Sequence, residues 1–294
     1  MPTNRLGDVL LLAVAIVWGS SYLTAKTLTV AGGVLILLAL RFLISAAAML
    51  PILAFRRPTR PELGTGLLLG VTQASVLVME TYGISRTSAT NAGVLISLTI
   101  LLTPILEGLV SRRFLPRSFF LAAATATLGV ILLVAGPGLR TPSIGDALML
   151  GAAVIRAVHV TLSARLTRDR PYNSGVLTAL QTLTGAVLFA PALVAGSWSY
   201  RPSQWLAVTY LALGCSVFAF VVQLWAIRRT SASRASLLLG TEPVWAVLFG
   251  VALAGDRLTP VAVAGIALVL AGTFYGQRLE TRSRSAPTEP LVPA

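Results

Sequence analysis

The stretch ISRTSATNAGVL at residues 84–95 recurs 143 residues later as IRRTSASRASLL at residues 227–238, with seven of the twelve positions identical. The shared part includes the polar sequence Arg-Thr-Ser-Ala, which chance similarity between apolar helices does not explain. A second match relates residues 37–51 to residues 177–191 at an offset of 140. These paired stretches predict an internal duplication of the chain.

Each copy of the repeat contains five apolar stretches of about 19–26 residues, the length with which an α-helix crosses roughly 30 Å of hydrocarbon. They lie at 7–29, 33–55, 62–83, 88–110 and 117–137, then at 143–166, 172–197, 203–226, 233–254 and 259–277. An odd number of crossings per copy inserts the second copy upside down, and inverted repeats of this kind build transporters. We therefore expect an all-α membrane protein with ten transmembrane helices in two inverted five-helix repeats around a central cavity.

The repeats are predicted to span residues 5–137 and 143–277, and residues 278–294 are expected to be a disordered cytoplasmic tail because they are rich in Arg, Ser, Thr and Pro. Of the 23 Lys and Arg residues, 16 lie at helix ends that share one side of the membrane and five at the opposite ends. Cytoplasmic loops carry the excess of Lys and Arg. The prediction is a multi-pass protein of a bacterial inner membrane with both termini in the cytoplasm.

The composition excludes several classes of protein. The 294 residues are 55% hydrophobic and 11% charged, with a mean hydropathy of +0.83, far from the values of soluble domains. The net charge of +13 would suit nucleic acid, but the basic residues cluster in short linkers between apolar stretches, so no nucleic-acid partner is expected. One His, one Cys and scattered acidic residues give no metal-ligand spacing, so we expect no metal, no cofactor and no enzyme activity. The expected partners are the lipid bilayer and a small-molecule substrate, and a monomer is compatible with the sequence.

Several short motifs resemble the EamA family of the drug/metabolite transporter superfamily. They are Trp18-Gly19-Ser20-Ser21 with Lys26, Arg41-Phe42, the Arg-Thr-Ser-Ala turn with Ala92, and Glu242-Pro243. The resemblance covers about residues 5–277 and is nearest to bacterial exporters of amino acids and metabolites, including an exporter of aromatic amino acids. It implies ten helices around a central cavity, a pseudo-twofold axis and efflux across the inner membrane.

Charge inside hydrocarbon is costly, so ionisable residues within the apolar stretches are functional candidates. The six are Arg41, Glu80, Glu107, Arg156, His159 and Glu242. Arg41 and Glu80 lie at similar depths near the outer ends of their helices, which favours a structural or gating ion pair over contact with substrate. Their repeat counterparts, Gln181 and Gln223, keep polar atoms at the same places. Glu107 is expected to be a solvated carboxylate at the inner end of its helix.

Arg156 and His159 lie three residues apart near the middle of the sixth stretch, and Ser163 continues the same helical face. A guanidinium group at this depth must face protein or water, where it can hold a substrate carboxylate through two parallel hydrogen bonds. The alternative is an internal salt bridge from Arg156 to Glu80 or Glu242, with His159 as a satisfied core residue. The sequence leaves both interpretations open.

Glu242 precedes Pro243 in the ninth stretch, where the proline removes a backbone donor and opens a carbonyl to a cavity. Pro104 is the counterpart in the fourth stretch, and both prolines are candidates for a structural or gating role. Trp245 shares the helical face of Glu242. Glu242 is expected to receive a substrate ammonium group or a proton, or only to neutralise Arg156.

The remaining candidates for substrate contact are aromatic or polar side chains within the apolar stretches. They are Trp18, Tyr22, Gln73, Met79, Tyr82, Thr99, Phe218 and Trp225. For each aromatic residue the competing interpretation is packing or a place at the membrane interface. In the repeat, Trp18 corresponds to Arg156 at an offset of 138.

These features predict a transporter that exports amino acids, including aromatic ones, or related small metabolites by alternating access. In this hypothesis Arg156 or His159 meets the substrate carboxylate, Glu242 or Glu80 meets the ammonium group, and aromatic side chains contact the apolar part. The alternative is efflux of lipophilic cations and drugs by the same fold, and an integral-membrane enzyme is disfavoured. Proton coupling and facilitated diffusion are both compatible with the sequence.

Overall fold

The computed structural model describes residues 2–87, 92, 95–134, 143–195, 199–254 and 259–285. Within these ranges every regular element is helical and no strand occurs, so the all-α prediction is confirmed for this part of the chain. In chain order the α-helices are α1 Pro2–Gly19, α2 Ser21–Gly32, α3 Val34–Phe55, α4 Arg60–Arg86, α5 Thr99–Ser111, α6 Arg117–Val134, α7 Ile144–Thr167, α8 Ser174–Phe189, α9 Pro191–Ala195, α10 Pro202–Ala212, α11 Ala219–Arg229, α12 Ala232–Leu239, α13 Glu242–Ala254 and α14 Pro260–Ser285.

Six helical stretches of the described residues are long and apolar enough to cross a membrane. They are Val34–Phe55, Arg60–Arg86, Ile144–Thr167, Ser174–Val194, Pro202–Arg229 and Pro260–Ser283. The first predicted stretch adds a seventh if Arg5–Gly19 and Thr24–Gly32 form one span with a 45° bend. Two further apolar helices, Leu95–Ser111 and Arg117–Leu132, are shorter. By length and composition the described residues thus show six or seven spans, fewer than the ten predicted.

Two of the predicted stretches are interrupted near their middles. The first bends where α1 ends at Gly19, and the ninth divides into α12 and α13 at residues 240–241. These two interruptions touch each other, because a Cβ atom at Gly19 would lie 2.7 Å from the carbonyl oxygen of Glu242 and 2.9 Å from the nitrogen of Ala246. Only glycine permits this approach of two backbones. The bend therefore places the N-terminus of α13 beside α1.

A π-helical segment at Leu213–Phe218 joins α10 to α11. Its wide turns leave carbonyl groups that accept hydrogen bonds from side chains of neighbouring helices. The Cys215 carbonyl accepts from Trp18 Nε1 at 2.9 Å and from Arg41 Nη2 at 3.3 Å. The Ala212 carbonyl accepts from the Ser45 hydroxyl at 3.0 Å. The eighth predicted stretch thereby holds side chains of α1 and α3 in place.

The repeated Arg-Thr-Ser-Ala motif has a structural use in its second copy. The Ser231 hydroxyl oxygen accepts the backbone N–H of Arg234 at 2.9 Å and caps the start of α12. In the first copy Thr87 donates to Asp146 near the start of α7. Residues 88–91 of that copy, the linker at 135–142 and residues 286–294 of the predicted tail lie outside the described residues.

The last helix runs to Ser285, so residues 278–285 are helical where a disordered tail was predicted. The physical reason is an ionic contact that the sequence pattern did not reveal. Arg234 pairs with Glu280 at 3.3 Å and donates to the Thr281 hydroxyl at 2.7 Å, while its other nitrogens bind Asp8 at 2.6 and 2.8 Å. This cluster joins the ends of α1, α12 and α14.

Close packing of small residues holds the central helices together. Gly66 and Gly70 of α4 lie against Leu180 and Thr184 of α8, and a Cβ at either glycine would come within 2.6 Å of those side chains. Helices in lipid associate through such small residues because lipid tails are as apolar as the side chains. α4 also packs along α7, and α3 packs along α8. Polar side chains of α3, α4 and α7 consequently meet near the centre of the molecule.

Candidate functional site

Three ionisable side chains form one buried cluster at the centre. Arg156 of α7 binds Glu80 of α4 through Nη2 at 3.0 Å and Glu242 of α13 through Nη1 at 3.3 Å. The three side chains are 13%, 10% and 5% exposed, respectively. The Arg156 guanidinium also lies over the Trp18 ring, 4.9 Å from its centroid. A cation–π contact of this kind adds to the attraction of the two carboxylates.

The broken ninth stretch explains why a carboxylate is stable at this depth. Glu242 is the first residue of α13, where unpaired backbone N–H groups and the helix dipole favour negative charge. Arg156 faces this helix end from α7. A buried carboxylate without a partner would be costly, so the cation and the helix terminus together stabilise it. Discontinuous helices whose ends point at a central site are typical of secondary transporters.

A cavity adjoins this cluster. Seven of the predicted residues line it, including Arg41 of α3 and Glu80 of α4, which were expected to form an ion pair. The full lining consists of Trp18, Ser21, Arg41, Gln73, Val76, Leu77, Glu80, Arg156, His159, Phe220, Gln223 and Glu242.

A second cavity lies between α5, α7, α12 and α13. It shares Arg156, Gln223 and Glu242 with the first cavity. Two further predicted residues, Thr99 and Pro243, also line it. The full lining consists of Ile96, Ser97, Thr99, Thr103, Arg156, Val160, Gln223, Ser236, Leu239, Gly240, Glu242 and Pro243.

The expected ion pair between Arg41 and Glu80 is wrong, because each group has another partner. Glu80 pairs with Arg156. Arg41 donates from Nε to the Ser216 hydroxyl at 2.7 Å and from Nη2 to the Cys215 carbonyl. The π-helical segment offers these acceptors, and a pattern of side chains along the sequence does not predict it. Arg41 still lines the first cavity.

His159 is only 4% exposed, and its Nδ1 lies 2.8 Å from the Thr72 hydroxyl. That hydroxyl donates to the Leu69 carbonyl at 3.0 Å. Since one hydroxyl carries one hydrogen, Nδ1–H of a neutral His159 ring donates to Thr72 and leaves Nε2 as an acceptor. His159 is thus hydrogen-bonded, as the interpretation as a core residue requires, and it also lines the cavity.

The expectation for Glu107 is wrong as well. Its Oε2 accepts from the backbone N–H of Ser233 at 2.8 Å and from the Ser233 hydroxyl at 2.5 Å, and Arg168 lies 3.5 Å from Oε1. The side chain is 15% exposed. Instead of being a solvated carboxylate, Glu107 binds the first turn of α12, because helix N-termini attract negative charge.

Two predicted residues adjoin Glu242 without lining either cavity. Tyr22 lies beside the Glu242 carboxylate, and its hydroxyl is buried. Trp245 packs against Gly19, and its indole N–H is also buried and is unpartnered within the described residues.

The structure places the other predicted residues away from these two cavities. Met79 packs against a small apolar cluster around Met149, and Ser163 is 1% exposed inside α7. Tyr82 and Trp225 lie beneath the guanidinium groups of Arg86 and Arg229 at 5.5 and 4.2 Å. Phe218 is 36% exposed, and Pro104 is buried within α5.

Several residues of the site escaped prediction from the sequence. Ser216 and Cys215 bind Arg41 because of the π-helical segment, and Thr72 binds His159. Thr103 is an ordinary hydroxyl in an apolar stretch. Only Gln223 carried a signal, since it is the repeat counterpart of Glu80.

Comparison with known proteins agrees with the sequence motifs. The model of the EamA-like transporter family matches residues 5–135 and again residues 143–275. A protein of Archaeoglobus fulgidus described as an uncharacterized transporter is 27% identical over 90% of this chain and 83% of its own length. YedA of Escherichia coli K12, described as an uncharacterized inner membrane transporter, is 28% identical over 85% of this chain and 84% of its own.

YetK of Bacillus subtilis, described as an uncharacterized transporter, is 29% identical over 89% of this chain and 83% of its own. One solved crystal structure aligns with 96% of this chain and 99% of its own at a TM-score of 0.78 and 22% identity, which shows a shared fold. The family resemblance noted in the sequence is thus confirmed. This chain belongs to the EamA-like transporter family and is a multi-pass membrane transporter.

Proposed function

We propose that this protein exports amino acids, including aromatic ones, or related zwitterionic metabolites across the inner membrane. The observation that carries this proposal is the charge balance of the first cavity, in which two guanidinium groups face two carboxylates. A zwitterion offers one group of each sign, so it exchanges partners with the site without leaving a net buried charge. A substrate with a single charge would leave one unpaired, which is costly in a low-dielectric interior.

The roles of the residues follow from this balance. The substrate ammonium group binds Glu242 or Glu80, and its carboxylate binds the guanidinium of Arg156. His159 contributes only an acceptor, Nε2, because its Nδ1–H donates to Thr72. Trp18 and Phe220, whose rings meet edge to face at 6.4 Å, line the same cavity and contact an apolar side chain. Arg41 holds the π-helical segment in place and adds positive charge to the cavity wall.

The proposed architecture consists of ten transmembrane helices in two inverted repeats, at residues 5–137 and 143–277, with both termini in the cytoplasm. The excess of cations at one set of helix ends supports this orientation. The two separate family matches support the repeat boundaries. Exchange of conformations between the two halves then exposes the central site to one side of the membrane at a time.

Uptake of labelled amino acids into proteoliposomes tests the proposed function. We expect saturable uptake of at least one neutral amino acid by the wild type, and a loss of more than tenfold for Arg156→Met and Glu242→Gln. Arg57→Gln, a change at an exposed residue away from both cavities, is the control and should transport normally. The absence of saturable flux for every amino acid would reject this substrate class. Initial rates with and without a pH gradient distinguish proton coupling from facilitated diffusion.

Efflux of lipophilic cations is the second candidate, and the aromatic wall formed by Trp18 and Phe220 favours it. In that case aromatic surface matters more than the ion cluster. Undiminished transport of lipophilic cations by Arg156→Ala, together with no amino-acid flux in the wild type, would favour this alternative over amino-acid export.

A further inference from the structure

An open groove lies between the ends of α12 and α14, away from the two central cavities. Its volume of about 300 Å³ is at the lower end of the range of ligand sites, which is roughly 300–1,000 Å³. The excess of cations at this set of helix ends places the groove at the cytoplasmic side in the proposed orientation. Its lining consists of Arg234 of α12 and of Phe274, Gln277, Arg278, Thr281 and Arg282 of α14.

The inner wall of the groove already has its partners within the protein. Arg234 is only 8% exposed, and its guanidinium group binds the carboxylates of Asp8 and Glu280 and donates to the Thr281 hydroxyl. Arg234 is therefore a fixed part of the wall, and a ligand in the groove meets the other two arginines first.

Those two arginines, Arg278 and Arg282, lie four residues apart on one face of α14, and both are exposed. Neither forms an ion pair within the part of the chain that the structure describes. Arg278 lies over the Phe274 ring, with its Cζ atom 4.2 Å from the ring centroid. This cation–π contact holds one guanidinium group at the groove and leaves its N–H groups available to a ligand.

The same face of α14 is apolar on the side of the arginines that leads into the membrane. Leu270 and Phe274 continue the spacing of four residues and are 50% and 56% exposed. The opposite face is tightly packed, since a Cβ atom at Gly272 would lie 2.6 Å from the Ala122 carbonyl oxygen of α6. Exposed apolar surface beside cations marks a place where a protein contacts lipid.

We propose that this groove binds an anionic phospholipid, with Arg278 and Arg282 donating to the phosphate oxygens and an acyl chain lying along Leu270 and Phe274. Guanidinium groups bind phosphate through paired, charge-assisted hydrogen bonds. Basic pockets between transmembrane helices at the cytoplasmic side are typical sites for anionic headgroups. The site is separate from the central ion cluster and has no part in the proposed contacts with substrate.

The charge around the groove favours a lipid with one phosphate group and no cation in its headgroup. Asp8 and Glu280 outweigh Arg234 by one negative charge, and Arg278 and Arg282 add two positive charges, which leaves an excess of one positive charge. Phosphatidylglycerol carries a single negative charge and neutralises this excess. Phosphatidylcholine brings its own cation, which the two arginines repel.

Thermal unfolding of the full chain in detergent micelles with added lipid tests this proposal. We expect phosphatidylglycerol to raise the unfolding temperature of the wild type in a saturable way, and phosphatidylcholine to have little effect at the same concentrations. Arg278→Gln combined with Arg282→Gln should weaken the apparent affinity for phosphatidylglycerol about tenfold or more, because each arginine near an anionic headgroup contributes a factor of about five. Equal stabilisation of the wild type by the two lipids would overturn the proposal.

The control is Arg57→Gln combined with Arg60→Gln. Both residues are exposed, lie at the same proposed side of the membrane and do not line the groove. This variant should bind phosphatidylglycerol as the wild type does. Equal losses in the two double variants would overturn the proposal, because the attraction would then belong to the cationic surface as a whole. If the variant of Arg278 and Arg282 does not fold, as judged by size-exclusion chromatography, Arg282→Gln replaces it with an expected loss of about fivefold.

Soluble phosphates identify the source of the bound phosphate group. Inorganic phosphate and glycerol 3-phosphate have no acyl chain, so we expect them to stabilise the wild type much less than phosphatidylglycerol at equal concentrations. Equal stabilisation would show a site for a soluble phosphate compound and overturn the lipid site. Because this binding is measured without transport, its absence overturns the lipid site alone and leaves the proposed amino-acid export standing.

Discussion

At the scale of single residues, the central ion cluster combines two possibilities that the sequence left open for Arg156, namely substrate binding and an internal salt bridge. Arg156 was expected to bind substrate or to pair with Glu80 or Glu242, and the structure shows pairing with both. The cluster lines a cavity at the same time. A salt bridge and a substrate site are therefore not exclusive here, because a substrate with the same groups can exchange with the bridge.

The stability of the cluster leads to a first prediction. Arg156→Met leaves two buried carboxylates without their shared cation, so it should reduce the free energy of unfolding by about 3–5 kcal/mol. Adding Glu80→Gln and Glu242→Gln removes the uncompensated charges and should recover much of this loss. Thermal unfolding in detergent measures the effect, with Arg57→Gln at an exposed position as control. Equal stability of the single and the triple variants would contradict the idea that charge compensation matters.

The charge of the first cavity leads to a second prediction. Glu242→Gln leaves a surplus of positive charge in the cavity, and Arg156→Met leaves a surplus of negative charge. Any residual transport by Glu242→Gln should be inhibited more strongly by acidic amino acids than in the wild type, and that by Arg156→Met more strongly by basic ones. Competition assays with labelled neutral substrate measure this shift. Identical inhibitor profiles in both variants would show that the cluster does not contact substrate.

At the scale of the secondary-structure elements, irregularities position the site. α1 ends at a bend, a π-helical segment joins α10 to α11, and α12 is separated from α13. Each irregularity leaves backbone polar groups that regular helices would pair internally. The Cys215 carbonyl binds Trp18 and Arg41, and the start of α13 carries Glu242.

The contact between the bend and α13 leads to a third prediction. Gly19→Ala places a methyl group 2.7–2.9 Å from backbone and side-chain atoms of α13, so we expect a loss of about 1–3 kcal/mol and reduced transport. Gly64→Ala is the matched control, since a Cβ there meets no atom within 4 Å. It should be neutral or stabilising by up to about 1 kcal/mol, because alanine favours helix over glycine. Thermal unfolding and uptake assays on both variants check the comparison; similar behaviour would count against close packing at Gly19.

At the scale of the whole molecule, the central question is which end of each helix faces the cytoplasm. The distribution of cations supports cytoplasmic termini. Arg57 and Arg113 would then face the cytoplasm, while Lys26 and Arg201 would face the outside. All four residues are exposed, so each is accessible to a reagent from its own side.

This orientation leads to a fourth prediction, for which the single native cysteine is convenient. Cys215 is buried, and Cys215→Ala gives a background without thiols. Single cysteines at positions 26 and 201 should react with a membrane-impermeant maleimide on intact cells, and those at 57 and 113 only after permeabilisation. The reverse pattern would invert the proposed topology, and a mixed pattern within one set would contradict the helix count.

The all-helical class could be predicted because hydrophobic length is a property of the chain itself, whereas the described residues show six or seven spans instead of the ten predicted. Helix positions and the family resemblance follow from apolar stretches and short motifs that are continuous in sequence. The pairing of Arg41 with Glu80 and the solvation of Glu107 were predicted wrongly, because the actual contacts depend on backbone groups exposed by the π-helical segment and by the first turn of α12. No side-chain pattern reports which backbone groups remain unpaired.

The sequence by itself determined the helical class, the family and the set of ionisable residues within apolar stretches, since these depend on local composition and spacing. Only the tertiary structure decided that Arg156 lies between Glu80 and Glu242, and that Arg156 and Glu242 line two cavities. The physical reason is that burial makes an unpaired charge costly, while the choice among several possible partners depends on how bent and broken helices pack in three dimensions.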